Sequence, residues 1–94
     1  MRTGNLTVTT GGVSLLDGLK FDGDTTVLLT NYGSVTVYVG QNGVVTADTH
    51  ATTGGYEISA GSEVSITPMP GDVIGLKTAS GTARVNYLAV GPGM

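Results

Sequence analysis

The sequence predicts an all-β fold: a single compact antiparallel sandwich of about seven to nine short strands, jelly-roll or immunoglobulin-like. Three observations carry that expectation. Turn residues punctuate the chain roughly every eight to twelve positions, at Gly11-Gly12, Asp22-Gly23-Asp24, Asn31-Tyr32-Gly33, Gln41-Asn42-Gly43, Gly54-Gly55, Pro70-Gly71-Asp72 and Ser80-Gly81. The runs between them are rich in Val, Ile, Thr and Tyr, whose stiff side chains pack well on a pleated backbone. A helical apolar spacing is nearly absent.

Taken in order, residues 1–5 show no alternation and read as an N-terminal arm, flexible unless another molecule orders it. Leu6 and Val8 then alternate with Thr7 and Thr9. A short strand is expected at Val13–Leu16. A helical turn over Val13–Lys20 is the competing reading, weakened by Gly18. Thr25–Thr30 sets Val27 and Leu29 against Leu28, so both faces of this strand are candidates for cover. Ser34–Val39 is the clearest alternation, with Val35, Val37 and Val39 on one face and Thr36 and Tyr38 on the other. Val44–Thr46 is a short strand, and Ala47–Gly55 is the longest loop. Tyr56–Ser59, Glu63–Thr67 and Val73–Thr78 follow as strands. Thr82–Val90 is the longest run. It divides into Ala83, Val85, Tyr87 and Ala89 on one face and Arg84, Asn86, Leu88 and Val90 on the other. Residues 91–94 read as a C-terminal tail, and residues 1–94 as one domain.

Threonine, rather than charge, makes this chain polar. Thr occurs 15 times and Gly 16 times in 94 residues, and charged residues make up 12 %, against about 25 % in an ordinary soluble domain. Such a surface stays hydrated yet repels little, and so tolerates dry contact with neighbouring protein. Net charge is −3, and the basic residues Arg2, Lys20, Lys77 and Arg84 are scattered. A nucleic-acid groove needs them clustered to neutralise successive phosphates. No apolar run reaches the about 18 residues of a membrane span, and the first residues lack a signal-peptide core, so synthesis and release in the cytoplasm are expected. With no cysteine, neither a disulfide nor a thiolate zinc site braces this small fold, which favours association with copies of itself or with a partner.

The residues that could carry chemistry are few. His50, with Asp48 two positions away, lacks a nucleophile and reads as a solvated loop histidine. Asp22 and Asp24 with Asp17 suit a hard cation, but the spacing of a calcium loop and its closing Glu are missing, so a polar turn is the simpler reading. Glu57 and Glu63 flank Ala60-Gly61 and read as solvated acids at neighbouring strand ends rather than a glycosidase pair. Gly40-Gln41-Asn42-Gly43 lacks the Lys and helix of a phosphate loop. Phe21, Tyr32, Tyr38, Tyr56 and Tyr87 are the aromatics. Tyr38, opposite the Val face, is a candidate sugar platform or interface anchor. No enzyme activity, metal or cofactor is expected.

Five segments carry a family likeness: Thr25–Asn31 (TTVLLTN), Gly33–Gly43 (GSVTVYVGQNG), Tyr56–Ile66 (YEISAGSEVSI), Pro70–Leu76 (PGDVIGL) and Gly81–Val90 (GTARVNYLAV). Their order, with a V-x-V-Y-V-G strand, an I-x-x-G-x-x-V-x-I hairpin and a P-G-D-x-I turn, resembles small β-sandwich structural proteins of tailed double-stranded DNA bacteriophages, over residues 25–90. The resemblance implies a head decoration (capsid cement) protein. It would bind the major capsid protein shell, reside on the outer surface of the virion and self-associate, for instance as a trimer. The alternative it implies is a receptor- or glycan-binding module of a tail or fibre. On the decoration reading, Asn5, Leu6 and Val8 with the N-terminal arm are the expected shell contact, and Tyr38 the expected subunit interface.

Overall fold

The computed structural model describes residues 1–14, 25–41, 54–69 and 72–91. They form eight strands: β1 (Arg2–Val8), β2 (Val13–Ser14), β3 (Thr26–Asn31), β4 (Val37–Gln41), β5 (Tyr56–Ile58), β6 (Glu63–Ile66), β7 (Ile74–Thr78) and β8 (Ala83–Val90). Two four-stranded antiparallel sheets result, ordered β1-β8-β3-β6 and β2-β7-β4-β5.

The pairings follow a simple rule. The first strand pairs with the last, the second with the seventh, the third with the sixth and the fourth with the fifth. The chain is thus one long antiparallel ribbon, folded at the β4–β5 connection and rolled up. Contacts β8·β3 and β7·β4 close the roll. This is a jelly roll. An immunoglobulin-like sandwich would set the first two strands side by side in one sheet, whereas β1 and β2 lie in different sheets.

Period-two alternation drives the rolling. From the first sheet, Leu6 and Val8 of β1, Ala83, Val85, Tyr87 and Ala89 of β8, Val27 and Leu29 of β3, and Val64 and Ile66 of β6 join one apolar cluster. From the second, Val13, Val37, Val39, Ile58, Ile74 and Leu76 meet them. The largest fully buried apolar side chains are Leu29, Ile58 and Leu76, so the core is thin and made mostly of valine-sized groups. The outward partners are mostly polar or half-buried, including Leu28 and Leu88, which face each other across β3 and β8; Val90 at the end of β8 is exposed.

Three expectations need correction. Residues 2–5 are not an arm: they belong to β1 and pair with Ala89 through Asn86 of β8. Gly4 hid this, because its missing side chain breaks the alternation. A Cβ there would lie 2.5 Å from the Tyr87 hydroxyl, and the ring fills the place a side chain would take. The segment Ile58–Ile66 is not a hairpin, since β5 and β6 lie in different sheets. Ser59–Ser62 forms a tight turn closed by the Ser62 N–H donating to the Ser59 carbonyl at 3.0 Å. Gly61, with φ 79°, takes the position where a type II turn demands positive φ. The expected strand from Ser34 starts instead at Val37, because Ser34–Thr36 wrap around a buried side chain described below. The pieces expected at Val44–Thr46 and over 15–20, and the tail residues 92–94, lie outside the described residues.

Four connections that cross between the sheets, β1–β2, β3–β4, β5–β6 and β7–β8, gather at one end of the sandwich, and two buried polar side chains tie them together. Asn31 is fully buried in the inward register of Val27 and Leu29. Its Nδ2 donates to the carbonyls of Val35 and Ile58, both at 2.9 Å, and its Oδ1 accepts from the Gly33 N–H at 2.9 Å. Its backbone N–H donates to the Ser62 carbonyl, and its carbonyl accepts from Gly61. Thr78, also buried, donates its hydroxyl to the Gly81 carbonyl at 2.8 Å, while its N–H donates to the Thr9 carbonyl of the β1–β2 turn.

Candidate functional site

Two surface features at or beside this end stand out: the open edge of β1, and a polar cleft.

A sheet edge presents unpaired N–H and C=O groups, and native proteins usually blunt it with short strands, charge, proline or bulges. Among the described residues, the four edges differ in length: β2 shows 2 residues, β5 has 3 and β6 has 4. The last two also carry a carboxylate, Glu57 and Glu63. β1 differs. It runs 7 residues, Arg2–Val8, with β8 on one side and no neighbour on the other among the described residues. Its only charge is Arg2 at the start, and it holds no proline. On the outward face beside this edge, two rows are uncharged across the first three strands. Asn5 lies beside Asn86 and then Thr30, and Thr3 lies beside Leu88 and then Leu28.

The expected contact residues divide accordingly. Asn5 is exposed on this face. Leu6 points inward and is half-buried against the core. Val8 is fully buried and is unavailable to any partner, a correction that follows from the inward register of Gly4, Leu6 and Val8. Tyr38 is half-buried on the outer face of the other sheet, between Glu57 of β5 and Lys77 of β7. It lines a shallow recess of about 330 Å³ with Ser34, Val35, Thr36, Ala79 and Ser80. Glu57 and Glu63 are both exposed but sit on different sheets, not on adjacent strand ends as expected. His50, Asp48, Asp17, Asp22 and Asp24 lie outside the described residues. Among the described residues no three His, Asp or Glu side chains gather as a metal site.

The cleft went unnoticed in the sequence. It is open, about 730 Å³, and lined by Thr7, Tyr32, Gly33, Ser34, Thr82, Ala83, Arg84 and Asn86. Three stretches build it: the end of β1, the β3–β4 connection and the start of β8. Its floor is rigid. The Tyr32 N–H donates to the Arg84 carbonyl at 2.8 Å, extending the β3·β8 ladder by one residue. Gly33 lies directly on Ala83: a Cβ on Gly33 would fall 2.5 Å from the Ala83 Cβ and 2.8 Å from its Cα, so any larger residue would push the connection off the strand. Asn31 holds the Gly33 N–H from beneath. From this floor Tyr32 projects into solvent, 66 % exposed, and Arg84 stands on the outward face beside Thr7. The signal was present as Asn-x-Gly after an inward-facing Val-x-Leu-x pattern, where a polar residue in a core position calls for nearby backbone partners.

No known protein family matches this chain, and no curated protein does.

Proposed function

We propose that this protein is a structural component of a tailed-phage virion, a head decoration protein that binds the outer face of the major capsid protein shell and reinforces it. The observation that carries the reading is the β1 edge, the longest strand edge among the described residues, beside which the β5 and β6 edges are short and acidic. An undefended edge is an aggregation hazard in a free-living domain but an asset in a protein that adds its strand to a partner or to a second copy. The low-charge outward face beside it suits close contact with a shell. The jelly roll agrees with this role, being an architecture that serves capsid proteins as well as lectins and cupins. Repetition across a lattice lets modest single contacts stabilise the assembly by mass action. Self-association through the same edge, into a trimer or another closed form, belongs to the same reading.

Purified protein mixed with undecorated capsids is expected to co-sediment at micromolar concentration. Thr3→Lys combined with Asn5→Lys, two exposed positions that charge the edge without touching the core or the cleft, is expected to reduce the bound fraction at least tenfold while leaving the thermal midpoint nearly unchanged. Absence of co-sedimentation by the unaltered protein rules the reading out.

The polar cleft favours a second reading, a receptor- or glycan-binding module of a tail or fibre. That reading places saccharide binding, not shell binding, at the centre of the protein's role, and it predicts no affinity for capsids.

A further inference from the structure

The geometry points to the cleft around Tyr32 and Arg84 as a binding site for a carboxylated saccharide, a short hexuronate-containing glycan. The inference stands apart from the capsid reading, because it rests on the cleft and not on the β1 edge.

The size fits first. About 730 Å³ falls within the roughly 300–1,000 Å³ typical of small-ligand sites and takes two sugar rings. The lining fits next. Thr7, Ser34 and Thr82 offer hydroxyls and Asn86 an amide, groups that both donate and accept. A polyhydroxylated ring presents that same mixture, whereas an apolar ligand would strand these groups. Tyr32 supplies an exposed aromatic face at the rim. The C–H bonds on one side of a pyranose carry slight positive charge and rest well against the negative face of such a ring.

Arg84 decides the charge of the ligand. Arg84 is exposed, and no carboxylate among the described residues forms an ion pair with it. The one described carboxylate on the same outward face, Glu63, lies beyond Asn86 and Thr30, at the far strand of the sheet. A planar guanidinium pairs with a planar carboxylate through two parallel hydrogen bonds. One cation matches one negative charge per binding unit. A phosphate or polyphosphate would call for several cations or a cradle of N–H groups at a helix N-terminus, and neither lines this cleft. A rigid floor helps as well: with Tyr32 and Gly33 pinned to Arg84, Ala83 and Asn31, little ordering is required on binding.

The test is a titration of the whole protein, followed by amide NMR, with digalacturonate, glucuronate, the neutral disaccharide digalactose and inorganic phosphate. The uronates are expected to shift the amides of Tyr32–Ser34 and Thr82–Asn86 saturably. Affinity should fall at least tenfold for the neutral disaccharide, and at least tenfold again for digalacturonate with Arg84→Gln or with Tyr32→Ala. Arg84→Lys should retain part of it. Capsid co-sedimentation by Arg84→Gln should stay unchanged, which keeps this result separate from the decoration reading. No shifts at millimolar uronate would overturn the proposal. So would phosphate matching the uronates, or Arg84→Gln binding as the unaltered protein does.

Discussion

Replacing Asn31 with aspartate is expected to cost about 3–5 kcal/mol at neutral pH, much of the about 5–14 kcal/mol that holds a chain of this length folded. The two side chains have nearly the same shape, so packing hardly changes. What changes is the direction of the hydrogen bonds. Asn31 Nδ2 donates to the carbonyls of Val35 and Ile58; an ionised carboxylate there sets lone pairs against lone pairs in a fully buried place. Burial and those two carbonyls favour the neutral acid, so the aspartate's folded-state pKa rises above its unfolded value. The sign follows directly. The variant binds more protons folded than unfolded, so its stability is greatest below the unfolded pKa and is lost as pH climbs through the raised one. Urea unfolding at several pH values between 4 and 7 reads this directly: the gap to the unaltered protein should widen with rising pH. A constant gap of under about 1 kcal/mol, the worth of one ordinary hydrogen bond, would show that Asn31 does not knit the end together.

Deleting residues 1–5 has the second large effect. A flexible arm could be removed without changing stability. Here the deletion strips Arg2–Asn5 from Ala89–Asn86, uncovers the Tyr87 ring that lies over Gly4, and turns half of β8 into an edge. Losing about four ladder hydrogen bonds, at roughly 0.5–1.5 kcal/mol net each, removes about 2–6 kcal/mol. For a domain of this size that lowers the thermal midpoint by about 8 °C or more. Differential scanning calorimetry on the shortened chain checks it, and an unchanged midpoint would return these residues to the status of an arm.

The strands were legible where alternation was clean. Val27 and Leu29, Val37 and Val39, Val64 and Ile66, Ile74 and Leu76, and Ala83, Val85, Tyr87 and Ala89 all face the core as the period of two requires. What alternation cannot convey is which sheet a strand joins. Ile58-Ser59-Ala60-Gly61 reads equally well as a hairpin or as a corner, because both need a tight turn with glycine. The corner wins because Asn31, 27 positions before Ile58, reaches across to hold it, and no local pattern encodes a bond of that span. β1 was half legible for a related reason: Leu6 and Val8 showed the pattern, whereas Gly4 owes its place to Tyr87, far along the chain. The cleft was invisible because its parts, Thr7, Tyr32 to Ser34 and Thr82 to Asn86, come together only when the first strand meets the last.

Amide hydrogen exchange along β1, measured on the free protein and on the protein bound to capsids, tests the adhesive edge most directly. In the free protein, the alternate amides of Arg2–Val8 that point away from β8 should exchange fast while their neighbours are protected. On the particle, those fast amides should become protected as a new strand pairs with them. Bound protein whose β1 amides still exchange as fast as in solution would contradict the account.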